Sequence, residues 1–143
     1  MDQSKDAEYW RDFNAPVVAE FRDNGGRVGG DFEEANLVLL NTTGAKTGRS
    51  RLAPLASFTI DGMMIIIGSL GGADHHPDWV HNLRADPRAH IEFGTDSYDV
   101  LARELPREER DQIYPKIVAQ QPRFGEYQVK TSRVIPLFEL QRV

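Results

Sequence analysis

A short stretch near the start of the chain concentrates residues that could bind an anion. The segment "NLVLLNTTGAKTGRSRLAPL", residues 36–55, places Lys46, Arg49 and Arg51 beside threonines and glycines and contains no acidic residue. Glycines let backbone N–H groups turn toward a ligand, threonine hydroxyls add donors, and basic side chains supply countercharge. Since the whole chain has a formal net charge of -5, this basic loop indicates a ligand with negative charge.

The basic loop does not match the phosphate-binding loop of nucleotide-hydrolysing proteins. That motif requires a glycine directly before its Lys-Ser/Thr pair, followed by a helix. Here Ala45 precedes Lys46 and Thr47, and no helix pattern follows. We therefore expect an anion site between two strands and not a P-loop.

Two other polar segments are weak candidates for chemistry. Asp74, His75 and His76 are consecutive in "GADHHPDW", but adjacent histidines without a third spaced ligand form a poor chelate, so we expect no metal site. Ser69 follows an apolar run, but no nucleophile elbow surrounds it and no His–acid pair is evident by spacing. Covalent catalysis by a serine is therefore not indicated.

The remaining candidates are suited to holding a flat cofactor. They are the glycine pair Gly71-Gly72 and the aromatic residues Trp79, Phe124 and Tyr127. Small residues let a ring approach the backbone, and aromatic residues wall an apolar pocket. Together with the basic loop they indicate a site for a flat, anionic cofactor that carries the chemistry itself.

Composition restricts the classes of protein that the chain could belong to. Its 143 residues fit one domain, and the absence of cysteine excludes disulfides, thiolate nucleophiles and sulfur-rich metal sites. One short basic loop on an acidic chain offers too few phosphate contacts for a nucleic-acid partner. No apolar run is long enough for a membrane span and no signal-peptide pattern is present, so we expect a cytoplasmic protein.

The pattern of apolar residues predicts a small antiparallel barrel with helical covers, in the α+β, mainly β class. An N-terminal helical segment, residues 1–27, is expected to place Tyr9, Phe13, Val17 and Phe21 on one face, with Pro16 kinking it and Gly25-Gly26 ending it. Residues 28–143 form the barrel domain. We predict strands at Leu37–Leu40, Leu52–Ile60, Met63–Ser69, in "AHIEFG", in "SYDVLARE" and in "RVIPLFELQ". We predict a hairpin at Asp61-Gly62 and helices at Pro77–Ala85, in "PREERDQIYPKIVAQQP", split at Pro115, and near Phe124–Ser132.

Several motifs together resemble the deazaflavin-dependent nitroreductase family. They are "LLNTTGAKTGRSRLAPL", "IIIGSLGG", "HPDWVHNLRADPRAHIEF" and "RVIPLFEL", in this order from about Val28 to the C-terminus. This family is a branch of the split β-barrel oxidoreductases, is found in actinobacteria and uses coenzyme F-420. The resemblance implies a split β-barrel like that of the flavin-mononucleotide-binding proteins.

The resemblance also implies roles for particular residues. The basic loop would receive the phosphate and acidic tail of the coenzyme. Small residues at the end of the first motif and in the second would line the deazaflavin ring and its ribityl chain, and Trp79 and Asn82 would close the pocket. The implied cofactor-binding set is Thr43, Lys46, Thr47, Arg51, Ala53, Pro54, Leu55, Gly68, Ser69, Leu70, Gly71, Gly72, Trp79 and Asn82.

The implied acceptor site lies on the open side of the ring. Ala56, Phe124 and Tyr127 would contact the substrate, and Ser69 could hydrogen-bond the ring or the substrate. Tyr127 would act as a proton donor or substrate hydrogen bond, although an aromatic wall without a proton role is equally open. Ala56 and Leu70 stand where some members carry a larger or basic side chain, which leaves substrate choice open.

The implied activity is hydride transfer from reduced coenzyme F-420 to an electron-poor acceptor: a quinone, an activated enone or a nitroaromatic. A flavin-mononucleotide enzyme of the same fold and a non-catalytic deazaflavin-binding protein remain alternatives. We expect a small hydrophobic acceptor as partner, no nucleic acid, and no stable membrane insertion, with peripheral association at the inner face of the membrane possible. The chain is expected to be a monomer or a homodimer.

Overall fold

The structure, a computed structural model, describes residues 15–26 and 36–143. Within these ranges the chain forms six strands and four α-helices. The strands are β1 (Asn36–Thr43), β2 (Ser50–Ile60), β3 (Met63–Ile67), β4 (Arg88–Phe93), β5 (Asp96–Glu104) and β6 (Leu137–Arg142). The helices are α1 (15–23), α2 (Asp78–Ala85), α3 (Arg107–Gln120) and α4 (Arg123–Lys130), and a short 3-10 helix covers Leu70–Gly72.

The strands close into an antiparallel barrel in the order β1-β2-β3-β6-β5-β4. Strand β6, the last in the chain, closes the barrel by pairing with both β3 and β5. The predicted Asp61-Gly62 hairpin is confirmed, since these residues have φ of 52° and 81°, the left-handed pair that suits a two-residue turn. The predicted fold, a split β-barrel with helical covers, is confirmed.

Side chains alternate between the interior of the barrel and its outer surface, as the period of two in a strand requires. The interior is filled by buried apolar residues from the strands and from α2, among them Val38, Leu40, Ile66, Trp79, Val80, Leu83, Ile91, Val100, Phe138 and Leu140. Helices α3 and α4 cover the outer face of β2, β3 and β6. Helix α2 therefore belongs to the barrel core, whereas α4 lies outside it.

The N-terminal helix packs on the outer face of β1. Phe21 is buried against Leu37 and Leu39, as its place in the four-residue repeat predicts. The helix ends where predicted, because Gly25 and Gly26 adopt left-handed φ of 63° and 94° and the Gly26 N–H donates to the Phe21 carbonyl at 2.7 Å. The predicted positions of Tyr9 and Phe13, and the whole segment 27–35, lie outside the described residues. The proposed division at residue 27 stays a prediction.

The predicted break at Pro115 is wrong. Helix α3 is continuous from Arg107 to Gln120 with Pro115 inside it. Proline removes one N–H donor and leaves the carbonyl of Asp111 without its helical partner. Both Pro115 and Asp111 lie on the exposed face of α3, so solvent can donate to that carbonyl, while Ile113 and Ile117 on the opposite face are buried.

No helix among the described residues is both long and apolar enough to cross a membrane.

Candidate functional site

The basic loop between β1 and β2 is a tight turn with its own internal hydrogen bonds. The Gly44 N–H donates to the Arg49 carbonyl at 2.7 Å, and the Gly48 N–H donates to the Gly44 carbonyl at 2.9 Å. Gly48 has φ of +69°, which favours glycine. The Thr47 hydroxyl accepts from the Arg49 N–H at 3.2 Å, so this predicted cofactor contact is already used to shape the turn.

The arginines of this loop differ from most other arginines of the protein. Among residues 15–26 and 36–143, neither Arg49 nor Arg51 makes a side-chain hydrogen bond or an ion pair, whereas Arg22 and Arg84 each pair with a glutamate at 2.8 Å. Arg49 is exposed and Arg51 is half-buried, beside the exposed Lys46. The loop therefore presents positive charge that the described acids do not neutralise, which fits an anionic ligand.

Asn82 on α2 fixes the basic loop to the barrel. Its Nδ2 donates to the Thr42 Oγ1 at 3.1 Å, and its Oδ1 accepts from the Ala45 N–H at 2.9 Å. Asn82 is only 5% exposed, so both polar ends of the amide are committed to these two contacts. These contacts position the basic loop, and the role in closing the pocket that the resemblance implied for Asn82 stays a prediction.

Trp79, one turn earlier on α2, lies in the barrel core. Its ring packs edge-to-face with Phe138, with 5.6 Å between ring centroids, and only 6% of the residue is exposed. The predicted role of Trp79 as a pocket wall is not tested by this arrangement. What the packing does establish is that Trp79 anchors α2, from which Asn82 reaches the loop.

The second predicted segment, Gly68–Gly72, runs between α2 and α4. A Cβ at Gly68 would lie 2.8 Å from a Val80 methyl group and 2.9 Å from the Pro136 ring, and a Cβ at Gly72 would lie 2.8 Å from the Tyr127 carbonyl oxygen. Both glycines therefore permit close packing. Through Val80 and Tyr127 the segment touches both helices that carry other predicted site residues.

In this segment Ser69 carries a buried hydroxyl and Gly71 has an exposed backbone. Ser69 is only 8% exposed, and its hydroxyl makes no hydrogen bond to any described residue. A Cβ at Gly71 would meet nothing within 4 Å, so the backbone there faces open space. The Ser69 hydroxyl makes no hydrogen bond to a described residue and lies near the exposed Gly71 backbone. This combination suits a flat ring with polar edges, because the hydroxyl can hydrogen-bond such an edge.

The predicted ring-lining residues of β2 point in two directions. Ala53 and Leu55 pack against the interior cluster, whereas Ala56 packs against the outer cluster beneath α3 and α4. Pro54 faces outward with Ala56, because residues two apart share a face of a strand. Pro54 is itself buried and Ala56 is half-buried, so on the outer face it is Ala56 that a ligand can reach.

Phe124 and Tyr127 form an aromatic row on α4. Phe124 packs edge-to-face on Phe58 and on Tyr127, each at 5.5 Å between centroids. Tyr127 is half-buried and its hydroxyl makes no hydrogen bond to a described residue. Tyr127 and Ala56 pack against the same outer cluster, and the Tyr127 backbone lies beside Gly72, while their role as an acceptor site stays a prediction.

The neighbouring Tyr114 has a different role. Its hydroxyl donates to the Phe124 carbonyl at 2.7 Å, and burial raises the pKa of its phenol above the ordinary value. The Arg110 guanidinium lies 4.2 Å from the centre of its ring. The Tyr114 hydroxyl is therefore used to hold α4 in place, whereas the Tyr127 hydroxyl makes no hydrogen bond to a described residue.

Sequence reasoning missed two features. Arg133 donates to the carbonyls of Gly68 and Ser69 at 3.0 and 2.7 Å, and its only sequence signal was its place in "RVIPLFEL". In addition, a Ser–His–Asp chain joins β4 and β5, with His90 Nε2 2.6 Å from the Ser97 hydroxyl and His90 Nδ1 2.8 Å from Asp99. Because these side chains lie on an open strand surface and Asp99 is 78% exposed, the chain is a cross-strand polar contact.

Comparisons with known proteins agree with this geometry. The sequence model of the F-420H(2)-dependent quinone reductase family matches residues 14–141. An F-420H(2)-dependent quinone reductase of Mycobacterium tuberculosis is 35% identical over 130 residues, which is 87% of this chain and 86% of that protein. The chain belongs to the F-420H(2)-dependent quinone reductase family.

Solved structures support the same assignment. The F-420-H(2)-dependent reductase FDR-A is 38% identical, with a TM-score of 0.66, and the match covers 74% of this chain and 94% of that one. A protein described as a domain-swapped dimer is 34% identical, with a TM-score of 0.68, over 91% of this chain and 98% of that one. The family resemblance predicted from the motifs is confirmed, including the dependence of the family on coenzyme F-420.

The described residues fit the coenzyme of this family. Arg49 and Arg51 supply charge without a described partner, and Ser69 supplies a hydroxyl without one. Gly71 leaves its backbone open to an approaching ring. An anionic tail and a flat polar-edged ring therefore each find a complementary surface.

Proposed function

We propose that this protein is an oxidoreductase that transfers a hydride from reduced coenzyme F-420 to a quinone or another electron-poor, hydrophobic acceptor. The observation that carries the proposal is the basic loop, whose arginines 49 and 51 have no described partner and whose backbone Asn82 holds in place. Such a loop favours a ligand with a long anionic tail. The quinone reductase named among the relatives supports the class of acceptor.

The residues divide the binding task between two surfaces. Lys46 and Arg51 bind the phosphate and acidic tail, with Thr43 at the entrance and Thr47 shaping the turn. The Ser69–Gly72 segment, Leu70 included, supports the ring together with β2, where Pro54 is buried and Ala53 and Leu55 are half-buried. The bound coenzyme supplies a hydride from its C5 carbon, so the protein has to position the two reactants and exclude water.

The acceptor lies against the aromatic row. The half-buried Tyr127 supplies an apolar wall that the buried Phe124 ring supports edge-to-face, and the small side chain of Ala56 leaves room beside it. Tyr127 donates a hydrogen bond or a proton to the acceptor oxygen, because its hydroxyl makes no hydrogen bond to a described residue. The second role for Tyr127, a wall without proton transfer, is distinguished by mutation to phenylalanine.

Two alternatives use the same barrel. A flavin-mononucleotide enzyme would purify with flavin or bind it more tightly than coenzyme F-420, and the absorbance spectrum of the loaded protein separates the two. A non-catalytic deazaflavin-binding protein would hold the reduced coenzyme without oxidation by any acceptor. The anionic tail of coenzyme F-420 favours the first proposal, because flavin mononucleotide offers the basic loop a single phosphate.

Acceptor choice gives the direct test. With excess reduced coenzyme, we expect fast oxidation by the soluble quinone menadione or by an activated enone, and negligible oxidation by oxygen alone. The reason is that a deazaflavin favours two-electron hydride transfer, while the described residues include no cluster that could hold a metal ion and the chain has no cysteine. The measurement is coenzyme absorbance under nitrogen and under air. Rapid oxygen consumption with peroxide release would favour the flavin-mononucleotide enzyme instead.

We propose further that the acceptor is met at a membrane surface. On helix α4, Val129 is 87% exposed and is followed by Lys130, two and three residues after Tyr127. With menaquinone in anionic lipid vesicles, Val129→Asp should lower turnover by about tenfold. The reason is that transfer of a valine side chain from water into the lipid contributes about 1.5 kcal/mol. Turnover with soluble menadione should not change. Val143→Asp, at a site also 85% exposed, is the control, and an equal loss in both variants excludes a specific contact at α4.

The proposed assembly is a monomer or a homodimer. One solved neighbour is a domain-swapped dimer, which favours the dimer for related chains. Light scattering of the purified protein separates the two.

A further inference from the structure

Arg133 holds a segment of the candidate site by its backbone. It lies between α4 and β6, and its Nε donates to the Ala73 carbonyl at 2.7 Å. Its Nη1 donates to the Gly68 carbonyl at 3.0 Å and its Nη2 to the Ser69 carbonyl at 2.7 Å. Three carbonyls of one short segment therefore converge on one guanidinium.

His76 completes this set of acceptors. The Arg133 Nη1 also lies 2.9 Å from the His76 Nδ1. A guanidinium can only donate, so Nδ1 accepts and the imidazole is neutral in this contact. Among the described residues Arg133 makes no ion pair with a carboxylate, so its charge is balanced by carbonyl dipoles and by the charge of Asp74, the residue after Ala73.

The segment that Arg133 holds has a conformation that needs support. Leu70, Gly71 and Gly72 have φ of 44°, 62° and 86°, and a left-handed leucine is strained because its Cβ crowds the following backbone. Strained residues persist where the surrounding structure fixes them, and they concentrate at functional sites. Tyr127 packs on Gly72 from one side, and Arg133 binds the start and the end of the segment from the other.

We propose that Arg133 is a positioning residue for the cofactor: with His76 as its neutral acceptor, it holds residues 68–73, whose left-handed turn is at Leu70–Gly72, in the conformation that presents the Ser69 hydroxyl and the open Gly71 backbone to the deazaflavin ring. This inference rests on the proposed function, because it assigns the segment to that ring. It also ties the ring surface to α4, since the same segment packs on Tyr127. Arg133 itself does not contact the reacting atoms.

The contact between Arg133 and His76 makes the arrangement sensitive to pH. The groups that act on His76 are Arg133, Arg84 and His81, which disfavour its protonated form, and Glu104, which favours it. Burial is the largest cause and, with these cations, lowers the pKa of His76 from its ordinary value of about 6.5. The unfolded chain therefore binds a proton at pH values where the folded one does not. The contact is complete above about pH 6.5 and is lost as the pH falls through the lowered pKa.

The test measures binding of oxidised coenzyme F-420 to the full chain, by quenching of the coenzyme's fluorescence. Arg133→Gln should raise the Kd by about tenfold or more, and Arg133→Lys should not restore it, because an ammonium group cannot donate to three carbonyls in a fork. The control is Arg142→Gln, which removes the same charge from a guanidinium that lies over Tyr98 at the end of β6. Its Kd should equal that of the parent.

Two further readouts separate positioning from general stabilisation. Hydrogen exchange of residues 69–73 should accelerate in Arg133→Gln without any cofactor, and not in Arg142→Gln. Below about pH 6.5 the parent should lose affinity more steeply than His76→Gln, which keeps an acceptor but cannot be protonated. Titration of the coenzyme itself affects the parent and His76→Gln equally, so the difference between the two pH profiles reports on His76.

The outcomes decide between the two proposals. If the parent binds and a folded Arg133→Gln variant binds equally well, the positioning role is wrong while the proposed function stands. If the parent itself does not bind the coenzyme, the proposed function fails, and the positioning role fails with it. Should Arg133→Gln not fold, Arg133→Lys and the pH dependence of His76→Gln decide, and parent-like behaviour in both overturns the positioning role.

Discussion

Replacing Arg51 with alanine is expected to raise the Kd for coenzyme F-420 by about 10- to 100-fold. A charge-assisted hydrogen bond to an anion is worth about 1.5–3 kcal/mol, and Arg51 has no described partner that could take the place of the ligand. Lys46→Ala should act in the same direction, with a smaller effect because Lys46 is exposed at the tip of the loop. Titration of the coenzyme's fluorescence at low and moderate salt measures both.

Arg88→Ala is the matched control for this loss of charge. Arg88 is exposed at the start of β4 and pairs with Asp86 at 3.0 Å, so its removal changes the net charge equally but leaves the basic loop intact. Its Kd should remain within about twofold of the parent, because an exposed charge that is already paired with Asp86 contributes little to the binding of a ligand. If Arg51→Ala and Lys46→Ala bind as tightly as Arg88→Ala, the loop is not the anion site.

Tyr127→Phe is expected to lower turnover by about 100-fold while leaving cofactor affinity nearly unchanged. General acid catalysis contributes about 10²-fold or more, and the variant removes the hydroxyl while keeping the ring that packs on Phe124. Single-turnover oxidation of bound, reduced coenzyme by menadione measures the step. A loss of affinity with normal turnover per bound coenzyme would place Tyr127 on the cofactor side of the site.

Tyr114→Phe tests whether any hydroxyl on this side of the barrel has the same effect. The Tyr114 hydroxyl donates to the Phe124 carbonyl, so its removal should lower the free energy of unfolding by about 1 kcal/mol and leave turnover per bound coenzyme unchanged. If both variants keep normal turnover, Tyr127 is an aromatic wall. This outcome would leave hydride transfer intact and remove only the proton role.

Local patterns were sufficient for most of the fold. The Asp61-Gly62 turn, the helix end at Gly25-Gly26 and the burial of Phe21 all follow from interactions within a few residues, which the sequence displays directly. The family motifs identified the cofactor class by resemblance, because several of them occur in the same order along the chain, and the loop rich in glycine, threonine and basic residues agrees with an anionic ligand. The barrel followed from the number and spacing of the strands.

The sequence by itself therefore determined the elements, the anionic character of the ligand and the family. Only the tertiary structure decided which residues shape the site, because those contacts join positions far apart in the chain. Asn82 reaches Ala45 across 37 residues, and Arg133 reaches Gly68 across 65. Pro115 stays within α3 because it lies on the exposed face, and Ala53 and Ala56 face opposite sides of one strand of a closed barrel. The position of each of these residues depends on which faces of the helices and strands pack together. The spacing of residues along the chain does not specify that packing.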